Sequence, residues 1–249
     1  MEQGEQTPVI LLNTVPKSGT NLLNQIVLGV PGTVLQSTVL YEGEPEHMKL
    51  QFPILENAKP NEVYMGHLYY SKMWSNFLRE KPIRTVFMIR DLRDVLVSLA
   101  YYIVKSVPHY PIYQDLISLQ SQKERYLLLI DGIRDYPNIR QWFALFTGWL
   151  HEDDVLTITY EQLMTSAESR KRTILRIAEH IWKDRTPTMP LEKLANEMEK
   201  NIDSKVSSTF RKGVVGGWKE EFDEEVKMRF TQVAGELLIQ TGYEKDLNW

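Results

Sequence analysis

The sequence predicts an α/β protein in which helices flank a central parallel β-sheet. Short apolar or β-branched runs alternate with longer segments of helical pattern along most of the chain. Strands that are joined by helical crossovers form parallel sheets. No long Pro/Gly/Ser-rich linker interrupts the 249 residues. We therefore expect a single domain over residues 1–249.

Composition limits what this domain does. Hydrophobic residues make up 43% and charged residues 25% of the chain, as in ordinary globular proteins. With no cysteine, disulfides and thiolate metal sites are excluded. The polar, acidic stretch 1–7 lacks the features of a secretory signal, and no run of about 18 apolar residues could span a membrane. The net charge of -4 disfavours nucleic acid as a partner. We expect a cytoplasmic protein without a membrane partner.

The first strand, predicted over 8–12, leads into the sequence Val15-Pro16-Lys17-Ser18-Gly19-Thr20-Asn21 and then a helix over 22–30. A loop between a strand and a helix N-terminus presents backbone N–H groups and a partial positive charge to an anion. The glycine permits close backbone approach, the neighbouring polar side chains add donors, and the lysine adds a full charge. The other interpretation is an exposed turn before an N-capped helix.

This stretch differs from the phosphate loop of nucleoside triphosphatases. That motif reads Gly-x-x-x-x-Gly-Lys-[Ser/Thr], with its lysine after the second glycine. Here Lys17 precedes the only glycine, Gly19. The stretch therefore predicts an anion site of another kind.

The next segment, 31–50, shows no clear period and is predicted to be a loop. A short strand over 62–65 then leads to Gly66-His67-Leu68. Open α/β sheets bind ligands beyond the carboxyl ends of their strands, which makes His67 a candidate catalytic residue. A hydrogen-bonded structural histidine is the alternative.

A buried strand is predicted over 85–89, with Arg90 at its carboxyl end. Ser98 follows two turns later on the next helix, so that the two side chains could grip one phosphate from two sides. The alternative is a surface network of ion pairs that joins Arg90 or Arg93 to Asp94 and adds little stability, in which Arg93 is the better structural candidate.

The rest of the chain continues the alternation of strands and helices. His109 and Tyr110 lie in an aromatic loop, 104–113, that could cover an apolar acceptor. The aromatic residues of 139–150 are assigned to packing. One further strand is predicted over 155–159. Helices are predicted from near residue 92 with Asp91 as cap, and over 116–129, 139–150, 169–182, 191–200 and 222–243.

A third stretch with site chemistry is Phe210-Arg211-Lys212-Gly213-Val214-Val215-Gly216-Gly217-Trp218-Lys219. Its glycines leave backbone N–H groups able to curl around an anion, and its cations supply charge. The patch is shorter and less basic than a typical nucleic-acid site. It predicts a second phosphate contact.

Taken together, the three stretches resemble the cytosolic-type sulfotransferases, which use 3′-phosphoadenosine 5′-phosphosulfate (PAPS) as sulfuryl donor. Residues 16–20 resemble the family's 5′-phosphosulfate loop, residues 90–98 its 3′-phosphate site, and residues 211–219 its C-terminal phosphate loop. The resemblance covers nearly the whole chain. It implies a sulfotransferase fold related to that of the P-loop NTPases, and transfer of a sulfuryl group to a small-molecule acceptor by in-line displacement, with PAP as product.

The resemblance also implies roles for individual residues. His67 would act as general base and Lys17 would stabilise the departing charge. No metal is required, because cations and backbone amides can carry the charge. The acceptor would contact His67, Tyr69, His109 and Tyr110. Donor-binding roles fall on Lys17, Ser18, Gly19, Thr20, Asn21, Arg90, Ser98, Tyr160, Phe210, Arg211, Lys212 and Gly213.

Two departures from the family pattern keep alternatives open. Asn21-Leu22 stands where the family often has Thr-Trp, so the residue that stacks on adenine is unassigned. Met65-Gly66 stands where the family commonly has Lys-Thr before the histidine. The alternatives are a P-loop kinase or nucleoside triphosphatase and a nucleotide-binding relative without turnover. The acceptor's identity and the choice between monomer and homodimer stay open.

Overall fold

The computed structural model describes residues 6–41, 45–203 and 213–249. Its centre is a five-stranded sheet in which every pairing is parallel. The strand order is β2-β3-β1-β4-β5, so that β1 lies in the middle. The strands are β1 (Val9–Thr14), β2 (Val34–Tyr41), β3 (Glu62–His67), β4 (Ile83–Ile89) and β5 (Val155–Thr159).

Contacts divide the chain into two compact units. The sheet unit comprises Met1–Ile89 and Phe146–Phe210, and the helical unit comprises Arg90–Leu145 and Arg211–Trp249. Along the chain, α7 crosses from one unit to the other. The helices are α1 (Thr20–Leu28), α2 (Pro45–Glu56), α3 (Lys72–Arg79), α4 (Leu92–Ser106), α5 (Tyr113–Ser118), α6 (Gln122–Asp131), α7 (Ile139–Thr147), α8 (Tyr160–Met164), α9 (Ala167–Ile181), α10 (Leu191–Lys200) and α11 (Glu224–Gln240).

The core of the sheet unit explains why β1 and β4 are almost continuously apolar. Ile10 and Leu12 on β1 and Val86 and Met88 on β4 are fully buried in one apolar cluster, to which α1, α9 and α10 also contribute. Strands that are covered on both faces need this composition. The predicted parallel sheet and α/β class are confirmed.

In the helical unit the aromatic residues pack near the start of α11. Phe222 lies with its ring centroid 5.8 Å from those of Trp218, Tyr126 and Phe230. Trp218 belongs to a 3-10 turn, Gly217–Glu220. Aromatic rings in tilted arrangements at such distances add to the stability that burial provides.

The prediction of a loop over 31–50 is wrong. This segment contains β2 and the first half of α2. As an edge strand β2 has one neighbour and a register shift between Leu35 and Val39. Several of its side chains are exposed, including Val34 at 57%. An irregular, half-solvated strand does not carry the apolar alternation by which strands are predicted.

Other boundaries also differ. The single helix predicted over 116–129 is two helices, α5 and α6, because Ser121 caps a new helix together with Glu124. Helix α3 was not predicted. Strands β1 and β3 extend two residues further than predicted, to Thr14 and His67. Strand β5 and helix α10 have the predicted bounds. Within the described parts of the chain, no helix combines the length and the apolar character needed to cross a bilayer.

Candidate active site

The loop after β1 has the backbone of an anion cradle. Val15 N–H donates to the Met88 carbonyl oxygen at 3.1 Å, and Ser18 N–H donates to the Val15 carbonyl oxygen at 3.1 Å. Between these contacts the chain turns sharply, with Lys17 at φ 71° and Gly19 at φ 101°. A non-glycine residue in the left-handed region costs free energy, and such residues cluster at functional sites.

The loop leads directly into the N-terminus of α1, which has no capping side chain. Gly19 is its N-cap residue, no side chain accepts a hydrogen bond there, and its first turn carries no acidic residue. Ser18 is fully buried, and its Oγ has no hydrogen-bond partner among the described residues. A buried hydroxyl without a partner is uncommon and calls for one. The loop therefore fits a phosphate or sulfate group.

Tyr160 lies against the loop from the side of β5. A Cβ built on Gly19 would come 2.6 Å from Tyr160 Cδ2 and 3.6 Å from Met88 Cε. Tyr160 is 5% exposed and begins α8, which Thr159 caps. The structure therefore brings Tyr160 to the phosphate loop, as expected of a donor-binding residue, while the atoms of the donor that it would contact stay a prediction.

His67 ends the strand beside β1. Its Nδ1 lies 2.8 Å from the carbonyl oxygen and 3.2 Å from Oγ1 of Thr14. Burial is the largest influence on this imidazole and lowers its pKa below 6.5. The hydrogen bond to the Thr14 carbonyl opposes this effect, and the positive charge of Lys17 adds to it. Lys17 and His67 therefore lie in the same small region, at the carboxyl ends of adjacent strands.

Two residues beside this histidine, Asn13 and Thr14, were not singled out from the sequence. Asn13 is fully buried and exchanges hydrogen bonds with the Leu68 backbone, at 2.8 Å from Leu68 N–H and at 3.2 Å to its carbonyl oxygen. Trp149 Nε1 donates to the same carbonyl at 2.9 Å. Thr14 contacts His67 directly, as described above. Two adjacent polar residues at the end of an otherwise apolar strand were the available signal.

Two tyrosines bear on the predicted contact with the acceptor. The ring of Tyr41 is 5.8 Å from that of His67, tilted by 42°, and Tyr41 is 54% exposed. Tyr69 was predicted to contact the acceptor. It packs edge-to-face on Phe146 at 5.1 Å. Tyr41, which was not singled out from the sequence, is therefore an additional candidate for contact with an acceptor beside His67.

In the helical unit, Arg90 is held by Asp94. Arg90 Nη2 donates to Asp94 Oδ2 at 3.2 Å and to the Val214 carbonyl oxygen at 2.9 Å. Asp94 also accepts from Gly216 N–H and Trp218 N–H, each at 2.9 Å. Asp94 is 3% exposed. Its buried carboxylate therefore holds Arg90 together with the backbone of Gly216 and Trp218. The Arg90–Asp94 ion pair is present, but the prediction that it lies at the surface is wrong, since the two side chains are 13% and 2% exposed.

Arg93 has the structural role expected of it, but it pairs with Asp91 and Glu244, whereas the partner considered from the sequence was Asp94. Arg93 is 3% exposed and donates to both carboxylate oxygens of Asp91 and to Glu244. Its guanidinium lies 4.0 Å from the ring centroid of Trp218 and 4.4 Å from that of Trp249. A planar cation between two indoles combines ion pairing with cation–π attraction. Asp91 also caps α4, as predicted.

The remaining predicted residues lie as follows. Ser98 is partly exposed on α4, and His109 is exposed in the turn between α4 and α5. The Tyr110 hydroxyl lies 2.8 Å from that of Tyr136. Gly213 adopts φ 62°. Phe210, Arg211 and Lys212 lie outside the described residues. Among the residues that are described, no group of three or more His, Cys, Asp or Glu side chains could hold a metal ion.

Comparison with known proteins identifies the family. A family model for the sulfotransferase domain matches residues 7–242. This match covers nearly the whole chain, and the protein belongs to the sulfotransferase family. Human sulfotransferase 2A1 is 25% identical over 236 residues, which cover 86% of this chain and 78% of the human protein. The 3-alpha-hydroxysteroid sulfotransferase of Cavia porcellus is 28% identical over 231 residues, covering 84% of this chain and 76% of that one.

Solved structures show the same fold. Mouse sulfotransferase SULT7A1, complexed with PAP, superposes with a TM-score of 0.60 at 20% identity, over 94% of this chain and 86% of the mouse chain. A retinol dehydratase in complex with androsterone and inactive cofactor PAP gives 0.61 at 15% identity, over 92% and 80%. The predicted family and fold are confirmed.

Proposed function

We propose that this protein transfers a sulfuryl group from PAPS to a hydroxyl or amine of a small-molecule acceptor. The observation that carries the proposal is the arrangement at the ends of β1 and β3. The phosphate loop with Lys17 follows β1, and His67, bonded through Nδ1 to Thr14, ends β3. The names of the similar proteins, and the PAP in the mouse structure, support this donor and this reaction class.

The loop fits the 5′ end of such a donor. The buried Ser18 hydroxyl, the uncapped α1 and the positive charge of Lys17 together favour an anion with several oxygen acceptors. For the 3′-phosphate we propose Arg90 and Ser98, with Gly213 and the cations Arg211 and Lys212. Tyr160 is proposed to contact the nucleotide beside Gly19.

Two side chains carry the proposed chemistry, for which bound PAPS supplies the sulfuryl group. His67 Nε2 takes the proton from the acceptor's O–H or N–H while the acceptor atom bonds to sulfur. The bond between sulfur and the phosphate oxygen breaks in the same displacement. Lys17 stabilises the negative charge that collects on this leaving oxygen. The lowered pKa of His67 keeps the imidazole neutral, as a base must be, at neutral pH.

Binding of the nucleotide product tests the donor. We expect calorimetry to show that PAP binds at least tenfold more tightly than 5′-AMP, because cations assigned to the 3′-phosphate distinguish the two ligands. Equal affinities, or the absence of heat with either ligand, would contradict PAPS as donor. Magnesium-dependent hydrolysis of ATP would instead favour a P-loop kinase or triphosphatase.

Replacement of the base tests the reaction. In His67→Ala we expect turnover, read as the mass gain of one sulfo group on an acceptor from a screened set, to fall by about 10²–10⁴-fold. PAP affinity should stay within about twofold, since the imidazole is not assigned to the nucleotide. His151→Ala is the matched control, because His151 is exposed at the end of a 3-10 turn. Unchanged turnover in His67→Ala would remove His67 from the mechanism.

A further inference from the structure

The hydrogen bonds around Thr14 determine which nitrogen of His67 can act as the base. His67 Nδ1 lies 2.8 Å from the Thr14 carbonyl oxygen. A carbonyl oxygen only accepts, so Nδ1 must carry a proton. Since the pKa of His67 is lowered, the ring is neutral near pH 7 and Nε2 holds the lone pair. The Thr14 backbone therefore fixes the tautomer in which Nε2 is the base.

The side chain of Thr14 extends this arrangement to the phosphate loop. Thr14 Oγ1 lies 3.2 Å from His67 Nδ1 and 2.7 Å from Thr20 Oγ1. The protonated Nδ1 can only donate to the Thr14 hydroxyl, which leaves that hydroxyl's own hydrogen for Thr20. The Thr20 hydroxyl in turn has its hydrogen directed away from Thr14. The three groups form a chain of donors that runs from the base to the first residue of α1.

We propose that Thr14 is a positioning residue that holds His67 in the Nδ1-protonated tautomer and couples it, through Thr20, to the donor bound in the phosphate loop. This inference rests on the proposed function, because it assigns the base and the loop to one reaction. Thr14 is fully buried in the middle strand of the sheet, where its hydroxyl has little freedom to turn elsewhere. An oxygen of the donor that accepts from Thr20 aligns all three hydrogen bonds in one direction.

The tautomer can be measured without any turnover. In protein labelled with ¹⁵N at histidine and free of donor, long-range ¹⁵N–¹H couplings should show the His67 ring protonated at Nδ1. An Nε2-protonated ring would overturn the proposal. Because no donor or acceptor is present, this result stands apart from the proposed sulfuryl transfer, which PAP binding tests separately.

Two variants of Thr14 test the coupling. Thr14→Val removes the hydroxyl and keeps the shape, whereas Thr14→Ser keeps the hydroxyl. We expect kcat to fall about 10–100-fold in Thr14→Val and to recover in Thr14→Ser. Losses of this size are typical when a residue that orients a metal-binding histidine through its second nitrogen is replaced. The Kd of PAP should stay within about twofold in both. Equal losses in the two variants, or none in Thr14→Val, would overturn the coupling.

The pH profile separates positioning from a general structural effect. An acceptor for Nδ1–H stabilises the protonated imidazole more than the neutral one, so that loss of the Thr14 hydroxyl lowers the pKa of His67 further. Lys17, from the phosphate loop, is the charged group that acts on this ring, and the Tyr41 ring faces it from β2. The acidic limb of kcat/KM should therefore move to lower pH in Thr14→Val. An unmoved limb would contradict the proposed contact.

A double variant tests the link through Thr20. If the hydroxyls of Thr14 and Thr20 form one hydrogen-bonded chain, removing the second should cost little once the first is gone. The kcat of Thr14→Val/Thr20→Val should then be less than about threefold below that of the slower single variant. Independent roles would instead give the product of the two single losses. The second result would confine the role of Thr14 to His67 and overturn the coupling to the donor loop.

Discussion

The ring of Tyr160 lies so close to Gly19 that no side chain fits between them. A Cβ on residue 19 would come 2.6 Å from Cδ2 and 2.9 Å from Cε2 of the tyrosine. Both atoms belong to a ring that is 5% exposed and cannot swing aside as the end of a flexible side chain does. The phosphate loop and the start of α8 are therefore packed as one piece.

Gly19→Ala should damage both stability and donor binding. The left-handed backbone at φ 101° costs an alanine about 1–2 kcal/mol, and the overlap with Tyr160 adds about 1–3 kcal/mol. Because the loop must shift to relieve the overlap, we expect PAP affinity to fall at least tenfold. Urea denaturation and calorimetry measure the two effects.

Gly32→Ala is the matched control for Gly19→Ala. Gly32 has φ 81°, and a Cβ there would meet nothing within 4 Å, so that this variant carries the backbone cost alone. In a Tyr160→Leu background, Gly19→Ala should cost no more than Gly32→Ala does. A loss that is the same with and without the Tyr160 ring would show that the contact does not constrain the loop.

The buried carboxylate of Asp94 provides the second prediction. It accepts hydrogen bonds from Arg90, Gly216 and Trp218, and an amide at this position would direct its NH₂ group toward donors. We expect Asp94→Asn to lower the free energy of unfolding by about 3 kcal/mol, as when one partner of a buried ion pair is removed. Denaturation followed by circular dichroism measures this loss. Asp135→Asn, at an exposed position, should change it by less than about 0.5 kcal/mol. Similar values for the two variants would contradict the role of Asp94.

Glu152 predicts how stability depends on pH. Its side chain is 8% exposed and accepts from Tyr70 at 2.6 Å, Arg79 at 3.0 Å and Lys72 at 3.2 Å. Burial alone would raise the pKa of this carboxyl, but the hydrogen bonds, with Tyr70 first, outweigh it and lower the pKa to about 2. A carboxyl whose pKa is lowered by folding stabilises the native state above its unfolded value of 4.5.

We expect Glu152→Gln to lose about 3 kcal/mol of the free energy of unfolding at pH 7, the equivalent of a pKa shift of this size. The difference from the wild type should shrink as the pH falls from 4.5 toward 2, because the wild-type carboxyl then becomes protonated. Urea titrations at several pH values measure it. Glu46→Gln is the control, since Glu46 is 83% exposed and pairs with an exposed lysine. A difference that does not depend on pH would exclude the carboxylate as the cause.

The order of β1, a tight loop and α1 could be predicted because the pattern that indicates it is local to the sequence. A strand, a short polar loop with one glycine and one lysine, and a helix follow one another within about twenty residues. Strand β5 was predicted with its observed bounds for a similar reason, since its β-branched residues need no partner to be identified. Arg93 could be interpreted as structural for the same reason, because acidic residues lie close to it in the sequence.

Contacts between distant parts of the chain could not be predicted. Thr14 and His67 are 53 positions apart, and only the pairing of β1 with β3 brings them together. The edge strand β2 was missed because its register shifts and its side chains are half solvated. Tyr41 is the last residue of that strand, so its position beside His67 was missed as well. The environment of His67 depends on the order of the strands in the sheet, and a single sequence does not encode that order locally.

The charge of Lys17 should set the pH range over which His67 acts as base. Burial lowers the pKa of the imidazole, and Lys17 lowers it further. A base must be neutral, so the acidic limb of kcat/KM should have its midpoint below pH 6.5. Lys17→Met removes one cause of the lowered pKa, and the acidic limb should then move to higher pH, opposite to the shift expected for Thr14→Val. Lys49→Met, at an exposed position, should leave the limb in place. Nuclear magnetic resonance titration of His67 in the donor-free protein gives the same pKa without catalysis, and a value that Lys17→Met does not raise would show that the lysine's charge does not reach the base.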